Sequence, residues 1–186
     1  MSTTVVKTTT ATLANLQAAF NGESNANERY IQFARKADEE GFGGVACLFR
    51  AAARAEEIHA ANHAAVIRKM GGTPHKTIDP VKVRSTRENL MAAIEGETYE
   101  RDVMYPEFIK IAQKEDNKPA IRTFTHALEA ETEHARLYAE ALASLETRRA
   151  KLTYMVCTVC GFTAEKLEGS RCPVCNNPKE KFDLVS

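Results

Sequence analysis

The chain has 186 residues, with 25 basic and 25 acidic side chains and no net charge. That balance offers nothing to attract nucleic acid or an anionic membrane, and no basic run interleaved with aromatics is present. The length allows one core-forming domain plus a small appendage. The start, Met1 to Thr10, is Thr-rich without an apolar stretch of signal-peptide length, and no segment nears the roughly 18 apolar residues of a membrane span. A soluble, cytoplasmic protein is expected. Of five cysteines, four stand in paired CxxC spacing, which suits a reducing compartment and metal binding better than disulfides. The fifth, Cys47, reads as a small buried hydrophobe.

Residues 11–40 are rich in strong helix formers and predict a first helix, with Leu16, Phe20, Glu23, Asn27 and Tyr30 on one seam. Gly41-Phe42-Gly43-Gly44 interrupts it. Residues 44–70 predict a second helix, with Phe49, Ala52, Glu56, His59, His63 and Val66 aligned. The stretch from about 71 to 85, containing Pro74 and Pro80, reads as a long crossover. Residues 86–115 predict a third helix, whose seam is Leu90, Ala93, Glu97, Glu100, Met104 and Phe108. After Asp116-Asn117-Lys118-Pro119, residues 118–148 predict a fourth, with Phe124, Ala127, Glu131, His134, Tyr138, Ala141 and Leu145. The expected fold class is mainly α. A ferritin-like four-helix bundle is expected over 1–149, and a small β/loop metal module with four cysteines over 150–186.

Each seam carries glutamates on an otherwise apolar face. Unpaired carboxylates in a core are expensive, so something must neutralise them, and a divalent metal pair is the simplest agent. The chain also repeats itself. Glu23 precedes Glu56 by 33 residues and Glu97 precedes Glu131 by 34. Tyr30, Phe33, Ala37 and Glu40 match Tyr105, Phe108, Ala112 and Glu115 at an offset of 75, whereas Glu23 and Glu97 match at 74. One extra residue therefore lies between Glu97 and Tyr105, which predicts a π-type bulge near Tyr99 to Pro106. Pro106 lacks the donor for the usual bond to residue 102.

Residues three apart share a helix face, so Glu56 with His59, and Glu131 with His134, aim at common points. One Glu from each of two helices plus Glu-x-x-His from each of the other two is the di-metal carboxylate arrangement. Hard oxygen ligands with two imidazoles favour iron or manganese. Glu56 and Glu131 are expected to bridge, with Glu23 and Glu97 as terminal ligands. Glu100 breaks the repeat, because its counterpart is Ala26. It reads as an extra carboxylate through which one metal exchanges ligands, or else as a neighbouring charge. Tyr30 and Tyr105, one to two turns beyond the ligands, read either as hydrogen-bond partners of the ligands with a catalytic role or as core tyrosines with satisfied hydroxyls. His63 reads as a filler or hydrogen-bonding residue, and His75 and His126 lie off the motif.

In the module, Cys157-x-x-Cys160 and Cys172-x-x-Cys175 form two knuckles suited to a tetrahedral metal. On the module alone, zinc and a single iron are both open; joined to a carboxylate bundle, iron is the expected metal. Asn176 stands where a tight knuckle wants positive φ.

These motifs resemble the rubrerythrin family: Gly22-Glu23-Ser24, Ala55-Glu56-Glu57-Ile58-His59, Gly96-Glu97-Thr98-Tyr99-Glu100, Met104-Tyr105-Pro106-Glu107-Phe108, Glu131-Thr132-Glu133-His134 and the cysteine pairs. The resemblance covers about residues 11 to 186, in both parts and in order. It implies a di-iron site in the bundle, a rubredoxin-like module holding one iron, and a peroxidase role in oxidative-stress defence. Hydrogen peroxide would be reduced to water with electrons from a reductase or rubredoxin. It also implies that His59 and Glu100 alternate as ligands, His59 in the reduced and Glu100 in the oxidised state. Head-to-tail dimers, or larger assemblies, would bring the module of one chain near the bundle of another. Asn176 departs from the glycine frequent in that family. An iron-oxidising or storage protein, and a redox sensor or zinc-stabilised binding module, share some of these ligands.

Overall fold

The computed structural model describes residues 10–186, so the reading of the first nine lies outside the described residues. Helix α1 spans Ala11–Glu39, α2 Gly43–Lys69, α3 Thr86–Tyr99, α4 Tyr105–Lys114 and α5 Lys118–Ala143. A π turn, Glu100–Met104, joins α3 to α4, so the two make one long rod. Side chains start these helices. Ser85 and Glu88 form a reciprocal capping box at α3, and Asn117 caps α5 by accepting from the Ala120 amide, with Pro119 in the first turn. Helix α1 packs along α2, the α3–α4 rod packs on α5, and α2 meets α5 across the bundle.

The predicted seams are the buried faces. Two apolar clusters result. One is centred on Tyr30, Phe33, Phe49 and Tyr138, the other on Leu16, Tyr105 and Phe124. Along every helix the acidic positions fall between the two, so a polar layer divides the core.

The bulge falls where the offset of the repeat requires it. The Tyr105 amide donates to the Glu100 carbonyl five residues back, and the wider turn accommodates Pro106, which has no amide hydrogen to offer. The extra residue is absorbed, and Glu97 and Tyr105 both face inward.

The fourth helix is shorter than predicted. It ends at Ala143, not 148, and a 3-10 turn follows at Leu145–Thr147. The chain turns away at Ser144, whose hydroxyl donates to the Glu140 carbonyl. Carbonyls of Arg148 and Arg149 then accept from the amides of Gly44 and Gly43 at the start of α2. A Cβ at either glycine would meet a carbonyl oxygen at 2.9 or 2.8 Å, so bare backbone is needed for this approach.

The crossover is not a loose loop. Gln17, Asn21 and Asn25, one turn apart on α1, hydrogen-bond the backbone of alternate crossover residues. The amides of His75, Thr77 and Asp79 donate to their side-chain oxygens at 3.3, 2.8 and 2.8 Å. Asn25 also donates to the Thr77 carbonyl. Strands β1 (Tyr154–Cys157), β2 (Thr163–Ala164) and β3 (Phe182–Val185) form an antiparallel sheet ordered β2-β1-β3. None of the described helices is long and apolar enough to cross a membrane.

Deleting Val103 together with Pro106→Ala should yield a regular α-helical rod that keeps Glu97 and Tyr105 inward. Deleting Met91 instead rotates the capped end of α3 by about 100° per residue and should expose Leu90. Thermal melting of the two proteins tests this. Equal loss of cooperative unfolding would refute the register argument.

Candidate metal centres

Glu23 (α1), Glu56 (α2), Glu97 (α3) and Glu131 (α5) are all 0 % exposed, and His59 and His134 lie one turn beyond Glu56 and Glu131. Their donor atoms form two sets. Glu23, Glu56, His59 and Glu131 lie within 4.8 Å of one another, as do Glu56, Glu97, Glu131 and His134. Glu56 and Glu131 belong to both, and Glu23 and Glu97 each belong to one. Glu100 belongs to neither set.

Both imidazoles present Nδ1 to the carboxylates. His59 Nδ1 lies 2.9 Å from Glu56 and from Glu131, and His134 Nδ1 lies 2.8 Å from Glu131. The approaches to Glu131 lack hydrogen-bond angles. As a result six atoms of the cluster have no hydrogen bond: Glu23 Oε2, Glu56 Oε1, Glu97 Oε2, both Glu131 oxygens and His134 Nδ1. Orphaned buried acceptors converging on two points are what a cation pair would satisfy, so the residues fit a di-metal site.

The electrostatics follow from burial and crowding. Burial, then the charges of Glu131, Glu23 and Glu97, raises Glu56 well above the carboxylate range. Burial and Glu131 push Glu97 up to about 7. Glu131 goes the other way: burial opposes its charge, but the two imidazoles more than offset this and hold it low. Burial disfavours the His59 and His134 cations, yet the surrounding carboxylates win and raise both. Without metal, protons bind this cluster together.

The tyrosines are crossed. Tyr30 of α1 donates to Glu97 of α3 at 2.5 Å, and Tyr105 of α4 donates to Glu23 of α1. Glu100, on the π turn, keeps part of its surface exposed. Burial of its carboxyl, then the charge of Glu23 ahead of the other glutamates, raises it. His63 is fully buried and hydrogen-bonds Tyr105 and Thr123, in keeping with a hydrogen-bonding role. His126 is half-buried and, like His75, lies outside both sets.

The four cysteine sulfurs also lie within 4.8 Å of one another, with Cys157–Cys175 at 3.6 Å and Cys160–Cys172 at 3.5 Å. These separations approach the edge of a tetrahedron with metal–sulfur bonds of about 2.3 Å. The knuckles turn through Gly161 at φ 81° and Asn176 at φ 57°, the left-handed conformation anticipated for Asn176.

The spacing of ligands gave no sign of how the module meets the bundle. His59 Nε2 lies 3.0 Å from the Cys160 carbonyl, and His134 Nε2 lies 3.1 Å from Thr163 Oγ1. The contact is made within one chain. The short linker folded against Gly43 and Gly44 brings it about. A carbonyl only accepts, so His59 Nε2 carries the hydrogen. The Thr163 hydroxyl spends its hydrogen on the Gly161 carbonyl, so His134 Nε2 must donate as well. Each ring thereby has Nδ1 free for a metal. A Cβ on Gly161 would lie 2.2 Å from His59 Nε2, so no side chain is tolerated there. Asn62, donating to the Val159 carbonyl, and Arg54, paired with Asp183, complete the seam.

A family model named Rubrerythrin matches residues 14–142. Nigerythrin of Nitratidesulfovibrio vulgaris Hildenborough is 36% identical over 173 residues, covering 92% of this chain and 85% of its own length. Rubrerythrin-2 of Clostridium acetobutylicum is 36% identical over 171 residues, covering 90% and 92%. A mixed-valence nigerythrin structure superposes with a TM-score of 0.88 at 35% identity, covering 99% of this chain and 91% of that one. Mycobacterium tuberculosis bacterioferritin, at 20% identity and a TM-score of 0.67 over 73% of this chain and 86% of its own, shares the helical fold alone. Ferritin-like helices, two Glu-x-x-His pairs sharing bridging carboxylates and a four-cysteine module thus coincide with these matches: the chain belongs to the rubrerythrin family.

Proposed function

We propose that the protein is a peroxidase that reduces hydrogen peroxide to water, with electrons passing from the four-cysteine site to the carboxylate–histidine site. The observation that carries this is the His59 ring. Nδ1 faces Glu56 and Glu131, and Nε2 holds the carbonyl of Cys160, itself one of the four cysteines. One imidazole thus touches both the carboxylate cluster and the four-cysteine module. An external reductase or rubredoxin supplies the electrons, and the assembly is a homodimer or larger. Met91, Tyr99 and Val103, exposed on the α3–α4 rod, suit that assembly.

Iron at both sites fits the donors, an oxygen-rich pair position and four thiolates. When bound, the iron pair supplies two electrons to the peroxide oxygen–oxygen bond, and the cysteine iron restores them singly. The protein's own groups shape that chemistry. Glu56 and Glu131, members of both donor sets, would hold both metals. Tyr30 and Tyr105 fix the orientation of Glu97 and Glu23 and supply hydroxyl hydrogens beside the reacting volume. The apolar clusters on either side exclude water. Glu100 stands outside the two donor sets while His59 stands inside, which supports the assignment of this pair as alternative ligands.

Anaerobically reduced protein should be reoxidised by stoichiometric peroxide, and the absorption of the cysteine iron should return with it. An iron-loaded protein that ignores peroxide but consumes oxygen would overturn the peroxidase reading. Glu100→Ala should slow peroxide turnover about 10- to 100-fold, the usual cost at a metal-supporting position. Metal content should be nearly unchanged; wild-type turnover would remove Glu100 from the mechanism.

Metal uptake must displace the protons that hold the cluster. In the metal-free protein, folding raises Glu97 from 4.5 to about 7 and raises both histidines above 6.5. Groups raised on folding stabilise at low pH, and that contribution is lost as pH rises through their folded values. The Tm of metal-free protein should therefore fall from pH 6 to pH 9, and iron loading should flatten the slope. A rising Tm over that interval would contradict this charge distribution.

A further inference from the structure

On the Glu23 side of the cluster, a row of hydrogen bonds leads away from the carboxylates through Tyr105 to His63 and Thr123, two residues that the proposed chemistry leaves idle. Tyr105 donates its hydroxyl hydrogen to Glu23 Oε1. The Tyr105 oxygen must then accept from His63 Nε2, 3.1 Å away. The fully buried His63 has both ring nitrogens engaged; with its hydrogen on Nε2 toward Tyr105, Nδ1 is the acceptor, and Thr123 Oγ1 lies 3.1 Å from it. The Thr123 hydroxyl therefore donates inward. Three consecutive donors point the same way, from Thr123 to His63 to Tyr105 to Glu23. Thr123 is also a wall residue of a surface cleft of about 300 Å³ between α2, α5 and the cysteine knuckle at Val159. Lys69, Lys118 and Arg122 line the same cleft, so it is open to water and free of carboxylates that would compete for the Thr123 hydroxyl.

We propose that Thr123, His63 and Tyr105 form a proton relay that carries hydrogen from this cleft to Glu23. The proposal rests on the peroxidase reading, because reduction of one hydrogen peroxide by two electrons breaks the oxygen–oxygen bond and takes up two protons to give two waters. The electrons arrive from the external reductant through the cysteine site. The protons cross a core in which the ligands themselves are fully buried. In one passage Tyr105 gives its hydrogen to Glu23, which hands it to the departing peroxide oxygen. His63 Nε2–H replaces it on Tyr105, Thr123 replaces it on His63 Nδ1, and cleft water restores Thr123. The relay resets when the Tyr105 hydroxyl rotates and His63 moves its ring hydrogen back to Nε2. Relays of this kind contribute on the order of 100-fold or more when proton delivery limits turnover.

Thr123→Val removes the entry hydroxyl and keeps the shape of the side chain. Peroxide turnover should fall at least about tenfold. Iron content and Tm should match the wild type, and the solvent deuterium isotope effect on turnover should change. His63→Phe should show the same deficit with partial recovery on adding free imidazole, which a packing defect would not show. Independently of activity, ¹⁵N NMR of the zinc-loaded full chain should find His63 as the Nε2–H tautomer. Wild-type turnover in Thr123→Val, no recovery with imidazole, or an Nδ1–H tautomer at His63 overturns the relay. Wild-type protein that fails to reduce peroxide sinks the peroxidase reading instead, and the His63 tautomer still decides whether the hydrogen-bond chain runs inward.

Discussion

Four carboxylates at 0 % exposure in one layer of a helical bundle are the constraint to which everything else answers. Taking a single carboxylate into a dry, low-dielectric interior costs an idealised ~20 kcal/mol, and real proteins still face several. Four together repel one another in addition, as the raised Glu56 and Glu97 show. The layer is tolerable only with compensating positive charge, either protons shared with two imidazoles or cations in their place. The bundle is shaped accordingly. Apolar clusters close the layer from both ends, each Glu-x-x-His pair uses the three-residue helical repeat to put base beside acid, and crossed tyrosines satisfy the outer oxygens.

The cysteine module completes that layer from outside. Each of the two cluster histidines has one nitrogen for the carboxylates and one for the module, and both module partners are committed acceptors. The same few residues, Cys160 to Thr163, therefore bind a metal through sulfur and set the proton position on the rings next door. Gly161 makes this possible twice over, through its left-handed backbone and through the missing side chain at His59.

Much of this was legible in the chain. The alternation of apolar seams with glutamates marks the helices, and the mismatch between offsets of 74 and 75 residues marks the π turn. These signals survive in sequence because helical periodicity converts spacing into facing. What spacing does not encode was missed. The Cys160 carbonyl is a backbone atom that every residue possesses. Thr163 and Thr123 are single hydroxyls whose partners lie 29 and 60 residues away. The end of α5 was misplaced because the residues after Ser144 keep good helix propensity, while backbone bonds to Gly43 and Gly44 take the chain elsewhere. The Gln17, Asn21 and Asn25 row could have been noticed as polar residues at four-residue intervals, but its partner is unpatterned backbone.

That row gives the crossover a role beyond connection. A segment joining two halves of a duplicated bundle is the natural hinge for swapping halves between neighbouring molecules. Here it is zipped to α1 as a strand is zipped to a sheet, residue by alternate residue. Any rearrangement that hinged within residues 75–79 would give up this row of hydrogen bonds, so the strap holds the first repeat and the crossover together as one unit.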